Sequence, residues 1–135
     1  MPERVIAFAE ALPITSGIHA GQKIRLRDWQ KAFIHAVYGP QDAGRRVVRT
    51  ALLSLPRKNG KSQLAAILAL AHLCGPCAES RGQVFSAASD RNQSSIIFRE
   101  MVAIIERVPL MAARLNIRSF NKLILPGLIL VPRTI

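Results

Sequence analysis

The residues best suited to chemistry are Gly60, Lys61 and Ser62, within the stretch SLPRKNGKSQ at 54–63. A loop that binds the phosphates of a nucleotide surrounds them with backbone N–H groups and the positive end of a helix. A lysine reaches the terminal phosphates, and the hydroxyl that follows it helps to hold Mg²⁺. Lys61 and Ser62 have the types and the spacing for these roles, and Gly60 leaves the phosphates unobstructed. The stretch therefore predicts a site for a nucleotide with Mg²⁺.

The first half of this loop departs from the common pattern. That pattern, G-x-x-x-x-G-K-S/T, begins with a glycine, and Leu55 stands in its place here. A Gly-Lys-Ser triplet also arises by chance, more often in a basic chain. The residues leave two interpretations open. The stretch is either a nucleotide site with an altered first half or an ordinary strand-to-helix turn that exposes Arg57, Lys58 and Lys61.

The elements around the loop favour the first interpretation. Residues 47–55 are β-branched and aliphatic and are bounded by a polar loop and Pro56, which predicts a buried strand. Residues 61–74 are apolar nearly all round and predict a helix packed on a sheet. Residues 83–89 predict a second strand. This order of strand and helix predicts an α/β domain with a parallel sheet flanked by helices.

Capping and turn signals mark the other elements. Asp90 can cap a helix, with Gln93 as its capping-box partner. Residues 3–11 and 26–38 have helical periodicity, and residues 117–132 predict a hairpin. We divide the chain into a helical segment over 1–45 and a partial core over 46–135.

Composition restricts the partners and the compartment. The chain has 135 residues, half of them hydrophobic, and a net charge of +11, which favours binding to polyanions. No apolar run is long enough for a membrane span and no signal peptide is visible, so we expect no membrane partner and a cytoplasmic location. Cys74 and Cys77 could belong to a zinc site or a redox pair, but their position after a helix favours two reduced thiols.

Three segments, in the right order and spacing, resemble one family. Residues 57–62 (RKNGKS) look like the altered Walker A loop of the large terminase subunits of tailed bacteriophages and prophages. Residues 26–30 (LRDWQ) resemble the upstream segment of that family that contains a glutamine, and residues 86–93 (SAASDRNQ) resemble its downstream stretch. The resemblance covers about residues 3–115 and implies a P-loop NTPase-like fold, incomplete in this chain.

The resemblance also implies a function and assigns roles to residues. Such a protein is an ATP-driven motor that packages double-stranded DNA into procapsids, and it works as a ring with a small terminase subunit and a portal protein in the bacterial host cytoplasm. Lys61 would bind the β- and γ-phosphates, Ser62 would hold Mg²⁺, Arg57 would contact the γ-phosphate and Gln30 the adenine. Asn59 and Gly60 complete the expected set of ATP-binding residues.

The acidic residues do not supply the rest of an ATPase site. Hydrolysis needs an aspartate at the end of an aliphatic strand to hold Mg²⁺, usually followed by a glutamate that activates water. The eight acidic residues are Glu3, Glu10, Asp28, Asp42, Glu79, Asp90, Glu100 and Glu106. None ends such a strand, since Asp90 is better explained as a helix cap, and no acid follows Glu106.

We therefore expect an N-terminal fragment of the family's ATPase portion. It should have no catalytic residue of its own and no nuclease domain, and it should bind ATP without hydrolysing it alone. Two other classes stay open. One is a fragment of another P-loop protein, such as a helicase-like translocase or a small kinase, and the other is a basic, non-enzymatic nucleic-acid-binding domain.

Overall fold

The structure is a computed structural model that describes residues 1–79, 83–114, 116–119, 122–125 and 128–134, and beyond residue 113 it describes the backbone alone. The helices of these residues are α1 (Pro2–Ala11), α2 (Asp28–Tyr38), α3 (Lys61–Leu73), α4 (Arg91–Arg107) and α5 (Pro109–Arg114). The strands are β1 (Gln41–Asp42), β2 (Arg45–Arg46), β3 (Gln83–Ala88), β4 (Asn116–Ser119), β5 (Lys122–Leu125) and β6 (Leu128–Thr134).

The two N-terminal helices confirm the periodicity of the sequence. α2 starts at Asp28, two residues later than the apolar pattern begins, because the backbone N–H of Arg27 donates to the side-chain oxygen of Gln30 over 2.8 Å. Leu26 precedes the helix and is buried in the core. The glutamine therefore fixes where α2 begins.

Helix α3 follows the loop at 55–60 as predicted. Gly60 precedes it with φ +76°, a left-handed conformation that glycine adopts without steric cost. The helix has apolar residues on most sides, and it contacts α1, α4 and β3. Its buried residues are Leu64, Ala66, Ile67, Leu70, Ala71 and Leu73.

The predicted buried strand over 47–55 is wrong. These residues have no regular secondary structure, and Leu52 is 92% exposed and Val47 54% exposed. No strand of the described part of the chain pairs with them. A strand depends on hydrogen bonds to a neighbour, and an aliphatic composition alone does not provide one.

The second predicted strand and its helix cap are confirmed. β3 occupies Gln83–Ala88, and α4 begins directly after Asp90, whose carboxylate accepts a hydrogen bond from the backbone N–H of Gln93 at 2.9 Å. The side-chain oxygen of Gln93 accepts from the hydroxyl of Ser89 at 3.1 Å. The segment that follows β3 is thus held by local polar contacts.

The larger sheet is mixed, with strand order β3-β6-β5-β4. The expected hairpin is present, since β5 and β6 are antiparallel, with Leu125 paired to Leu128. Among the strands that the structure describes, only β3 and β6 run parallel, with Gln83 opposite Ile129. The described residues therefore form an α/β arrangement, but its sheet is not the fully parallel one that the sequence predicted.

One apolar core joins the helices. Thr15 adds a polar tie between the N-terminal part and α4, because its hydroxyl donates to Glu100 over 2.7 Å. The core extends from α1 to α4, so the helical segment and the loop before α3 share one support. Its large, fully buried side chains include Val5, Ile34, Leu64, Ile67, Leu70, Phe98, Met101 and Ile104.

Candidate nucleotide-binding site

The loop at 55–60 has the backbone of a tight turn. Lys58 and Gly60 both have left-handed conformations, with φ +64° and +76°. A residue other than glycine rarely adopts such a φ, so Lys58 holds local strain. Gly60 then turns the chain directly into α3, whose first backbone N–H groups face the loop side of the helix.

Lys61 closes this turn. Its ammonium group donates a hydrogen bond to the backbone carbonyl oxygen of Leu55, the residue that stands where the common pattern has glycine. The side-chain amide of Asn59 donates to the carbonyl oxygen of Pro56 at 3.3 Å. The positive charge of Lys61 is thereby held at the mouth of the loop, beside the N-terminus of α3.

Gln30 lies next to this loop although it is far from it in sequence. The residue is only 7% exposed. Its side-chain nitrogen would lie 3.7 Å from a Cβ placed on Gly60, so that a side chain there would fill the space between the two residues. The oxygen of Gln30 is engaged by Arg27, which leaves the nitrogen as the atom directed at the loop.

The other two predicted residues lie on the rim. Arg57 is exposed in the loop, and Ser62 is exposed at the second position of α3. The first turn of α3 contains no acidic residue, so nothing there offsets the positive end of the helix. The arrangement can attract an anion, with an ammonium, a hydroxyl and backbone N–H groups around it.

The metal donors are few. In the part of the chain that the structure describes, no three or more His, Cys, Asp or Glu residues are grouped so as to hold a metal ion. Ser62 is the hydroxyl placed beside the loop. Lys61 and Ser62 fit the phosphates and one ligand of a phosphate-bound Mg²⁺, and the first turn of α3 adds no carboxylate to them.

The two cysteines match the helix-end interpretation. They form no disulfide, and the thiol of Cys74 donates to the carbonyl oxygen of Leu70 at 3.4 Å. Burial raises the pKa of the Cys74 thiol to about 11 and also raises that of Cys77. A redox-active pair has a lowered thiol pKa, so these thiols are in the opposite state.

Sequence reasoning missed a polar cluster at the far end of α3. The hydroxyl of Tyr38 lies 3.0 Å from Nε2 of His72, and Nη1 of Arg46 lies 3.2 Å from the same nitrogen. Burial raises the pKa of Tyr38 to about 12, and burial followed by the charge of Arg46 lowers the pKa of His72. The feature of the sequence that could have indicated this cluster is His72, which interrupts the apolar run of α3.

Comparison with known proteins decides the family. The sequence profile described as terminase large subunit, ATPase domain, matches residues 28–121. The chain belongs to this family. Residues 28–121 contain Gln30 and the whole stretch 55–62, so the match includes every predicted site residue.

The relatives of this terminase chain agree with that assignment. The large terminase subunit of Enterobacteria phage HK97 is 41% identical over 121 residues, which are 89% of this chain and 23% of the relative. The crystal structure of the HK97 bacteriophage large terminase matches with a TM-score of 0.85 and 38% identity, over 98% of this chain and 27% of that one. This terminase chain thus spans about a quarter of the length of these relatives, and their match supports the P-loop NTPase-like fold.

The helices of this terminase chain carry no membrane signal. Within the described residues, none is both long enough and apolar enough to cross a bilayer.

Proposed function

We propose that this chain binds ATP with Mg²⁺ at residues 57–62, which we call the phosphate loop. We further propose that the chain is the nucleotide-binding portion of a motor that packages double-stranded viral DNA into procapsids. The proposal extends the family assignment to an activity, a substrate and a set of residues. The observation that carries it is the proximity of Gln30 to Gly60 at the N-terminus of α3. One surface then offers an amide for a base and an ammonium for phosphates.

The proposed roles follow the chemistry of each side chain. Lys61 exchanges the Leu55 carbonyl for the β- and γ-phosphates, and Ser62 donates one oxygen ligand to Mg²⁺. Arg57, exposed on the rim, contacts the γ-phosphate, and Asn59 keeps the loop in shape through Pro56. The nitrogen of Gln30 donates to an acceptor on the adenine ring.

The wider proposal concerns partners and organisation. The chain consists of the helical segment 1–45 and a partial core over 46–135, whose β3 and β6 belong to a parallel sheet in the complete fold. Its partners are double-stranded DNA, a small terminase subunit, a portal protein and further copies in a ring, in the cytoplasm of a bacterial host. The charge of +11 suits a surface that tracks a phosphate backbone.

Nucleotide titration tests the site. A fluorescent ATP analogue with Mg²⁺ should bind the wild-type chain and lose most of its affinity in Lys61→Ala. Lys58→Ala is the matched control, because it removes the same charge from the same loop without removing the group beside α3. Equal affinity for the wild type and Lys61→Ala would contradict the proposal.

Phosphate release and DNA binding test the rest. Because no acidic residue of the sequence ends an aliphatic strand in the pattern that hydrolysis requires, the chain alone should release no phosphate from ATP, and steady release that disappears in Lys61→Ala would contradict this. DNA binding should weaken with salt and should change when ATP is added. A simple basic nucleic-acid binder would bind DNA equally with and without ATP.

A further inference from the structure

A polar cluster of Tyr38, Arg46 and His72 lies at the end of α3 remote from the phosphate loop. Arg46, at the end of the hairpin formed by β1 and β2, donates from Nη1 to Nε2 of His72 at 3.2 Å. Its guanidinium carbon also lies 5.4 Å from the centre of the Tyr38 ring. The rings of Tyr38 and His72 are tilted by 35°, with their centres 5.8 Å apart. One arginine is thus held by an aromatic face and an imidazole nitrogen.

The protonation state of His72 follows from its partners. A guanidinium has only donors, so Nε2 of His72 must offer its lone pair to Arg46. The hydroxyl of Tyr38 meets the same nitrogen at 3.0 Å and is therefore also a donor. Both contacts can be hydrogen bonds only if the imidazole is neutral with its proton on Nδ1, so that the two donors share the single lone pair of Nε2. A second proton, bound at Nε2, would remove this acceptor. It would also place a positively charged imidazolium beside the guanidinium of Arg46.

The surrounding charges act in both directions. Glu79, after the end of α3, favours the protonated form of His72, whereas Arg46 opposes it. Cys77 lies in the same region, and the Coulomb interaction with its thiol acts on Tyr38. Arg45, Arg49 and the first residue of the chain line the same cavity as His72, which has a volume of about 1330 Å³. Cations therefore outnumber carboxylates among the residues that line this cavity.

The segment 47–55 connects this cluster to the phosphate loop. Arg46 immediately precedes residues 47–55, which are mostly exposed and lead into the loop. At the other end of this segment, Lys61 donates to the carbonyl oxygen of Leu55. Between these two contacts the segment has no strand partner among the described residues. Its two ends are thus attached to the two ends of α3.

We propose that neutral His72 anchors the β1–β2 hairpin to α3 through Arg46, and that protonation of His72 releases this anchor and frees the segment that enters the phosphate loop. The hydrogen bond between Arg46 and His72 is thus sensitive to protonation, and this does not depend on whether the loop binds ATP. Tyr38 keeps the imidazole in place, and Arg46 is the group that leaves. The segment 47–55 then remains attached at Leu55 and through Leu53, which packs half-buried against the apolar core.

Nuclear magnetic resonance of the imidazole nitrogens tests the tautomer and the titration. The wild-type chain should show His72 as the Nδ1–H tautomer, protonating at a lower pH than histidine in the urea-unfolded chain. Arg46→Ala should shift this midpoint upwards, while Arg45→Ala, the neighbouring substitution on the same strand, should shift it less. An Nε2–H tautomer, or equal shifts in both variants, would overturn the proposal.

Amide hydrogen exchange tests the release. The backbone N–H of Val47 donates to the carbonyl oxygen of Pro40 and reports on the base of the hairpin. After correction for intrinsic rates, its protection should fall on acidification by roughly fivefold, the factor that one ordinary hydrogen bond contributes. In His72→Asn the protection should not change with pH. Protection of Val47 that is independent of pH in the wild type would overturn the proposal even if the tautomer is as expected.

Discussion

The side-chain nitrogen of Gln30 lies 3.7 Å from the position that a Cβ would occupy on Gly60. This proximity joins the first turn of α2 to the loop that precedes α3, across about thirty residues of chain. The oxygen of the same side chain accepts from Arg27 and so fixes the start of α2. One glutamine therefore contacts two elements, with its amide oxygen at the start of α2 and its amide nitrogen towards Gly60.

Substitution of Gln30 should separate the contact that its oxygen makes at the start of α2 from the proposed contact of its nitrogen with ATP. Gln30→Glu keeps an oxygen for the Arg27 N–H, so its free energy of unfolding should stay near that of the wild type. Gln30→Ala loses that acceptor and should be less stable by about 1 kcal/mol. Both variants should bind ATP more weakly because both lack the amide nitrogen. Urea denaturation measures the change in stability and nucleotide titration the change in affinity. Wild-type ATP affinity in Gln30→Glu would contradict the proposed contact of the Gln30 nitrogen with the adenine.

A side chain at Gly60 should impair binding as well as folding. Gly60→Ala forces alanine to a φ of +76° and should cost about 1–2 kcal/mol of stability. Gly44→Ala is a matched control, because Gly44 has φ +77° and open space for a Cβ, in the hairpin away from the loop. The two variants should be similarly destabilised in thermal unfolding, but Gly60→Ala alone should lose ATP affinity. Equal affinities would show that Gly60 serves the backbone only.

Relief of strain should be measurable at Lys58. Its left-handed φ of +64° costs a lysine about 1–2 kcal/mol, whereas glycine adopts it freely and adds about 0.5–1 kcal/mol of disorder to the unfolded chain. Lys58→Gly should therefore be as stable as the wild type or more stable by up to about 1 kcal/mol. Arg57→Gly, whose backbone does not have a positive φ, should be destabilised. A loss of stability in Lys58→Gly comparable to that in Arg57→Gly would contradict strain at this position.

The stability of the chain should depend on pH through His72. Burial and Arg46 lower its pKa below the ordinary 6.5, so the unfolded chain binds the proton more readily. The contribution of neutral His72 is complete above 6.5 and is lost as the pH falls towards the lowered folded value. The difference in unfolding free energy between wild type and His72→Asn, measured in urea above and below 6.5, should shrink on acidification. A difference that is constant across this range would contradict the lowered pKa.

Local signals in the sequence predicted much of the fold. Asp90 caps α4 and Gly60 leads into α3, because capping and left-handed turns depend on a few neighbouring residues. The strand expected over 47–55 failed because strands depend on partners elsewhere in the chain. A composition rich in valine and leucine carries no information on whether such partners are close.

The candidate site could be predicted in part for the same reason. Lys61 and Ser62 follow from spacing, but the approach of Gln30 to the loop was implied only by the resemblance. The cluster of Tyr38, Arg46 and His72 comes from three separate elements that the core brings together. The sequence around any one of these residues does not predict its contact with the other two.

The segment 47–55, which is mostly exposed, is a point at which the chain can be divided. Arg49 and Arg57 are exposed at either side of Leu52, so trypsin can reach both bonds. The core crosses this segment, since α1 packs against α3. A chain nicked there would consist of two fragments, one with α1 and α2 and the other with the helices from α3 onwards, held together without a covalent bond. Two separately made peptides with these boundaries would be expected to find each other in solution.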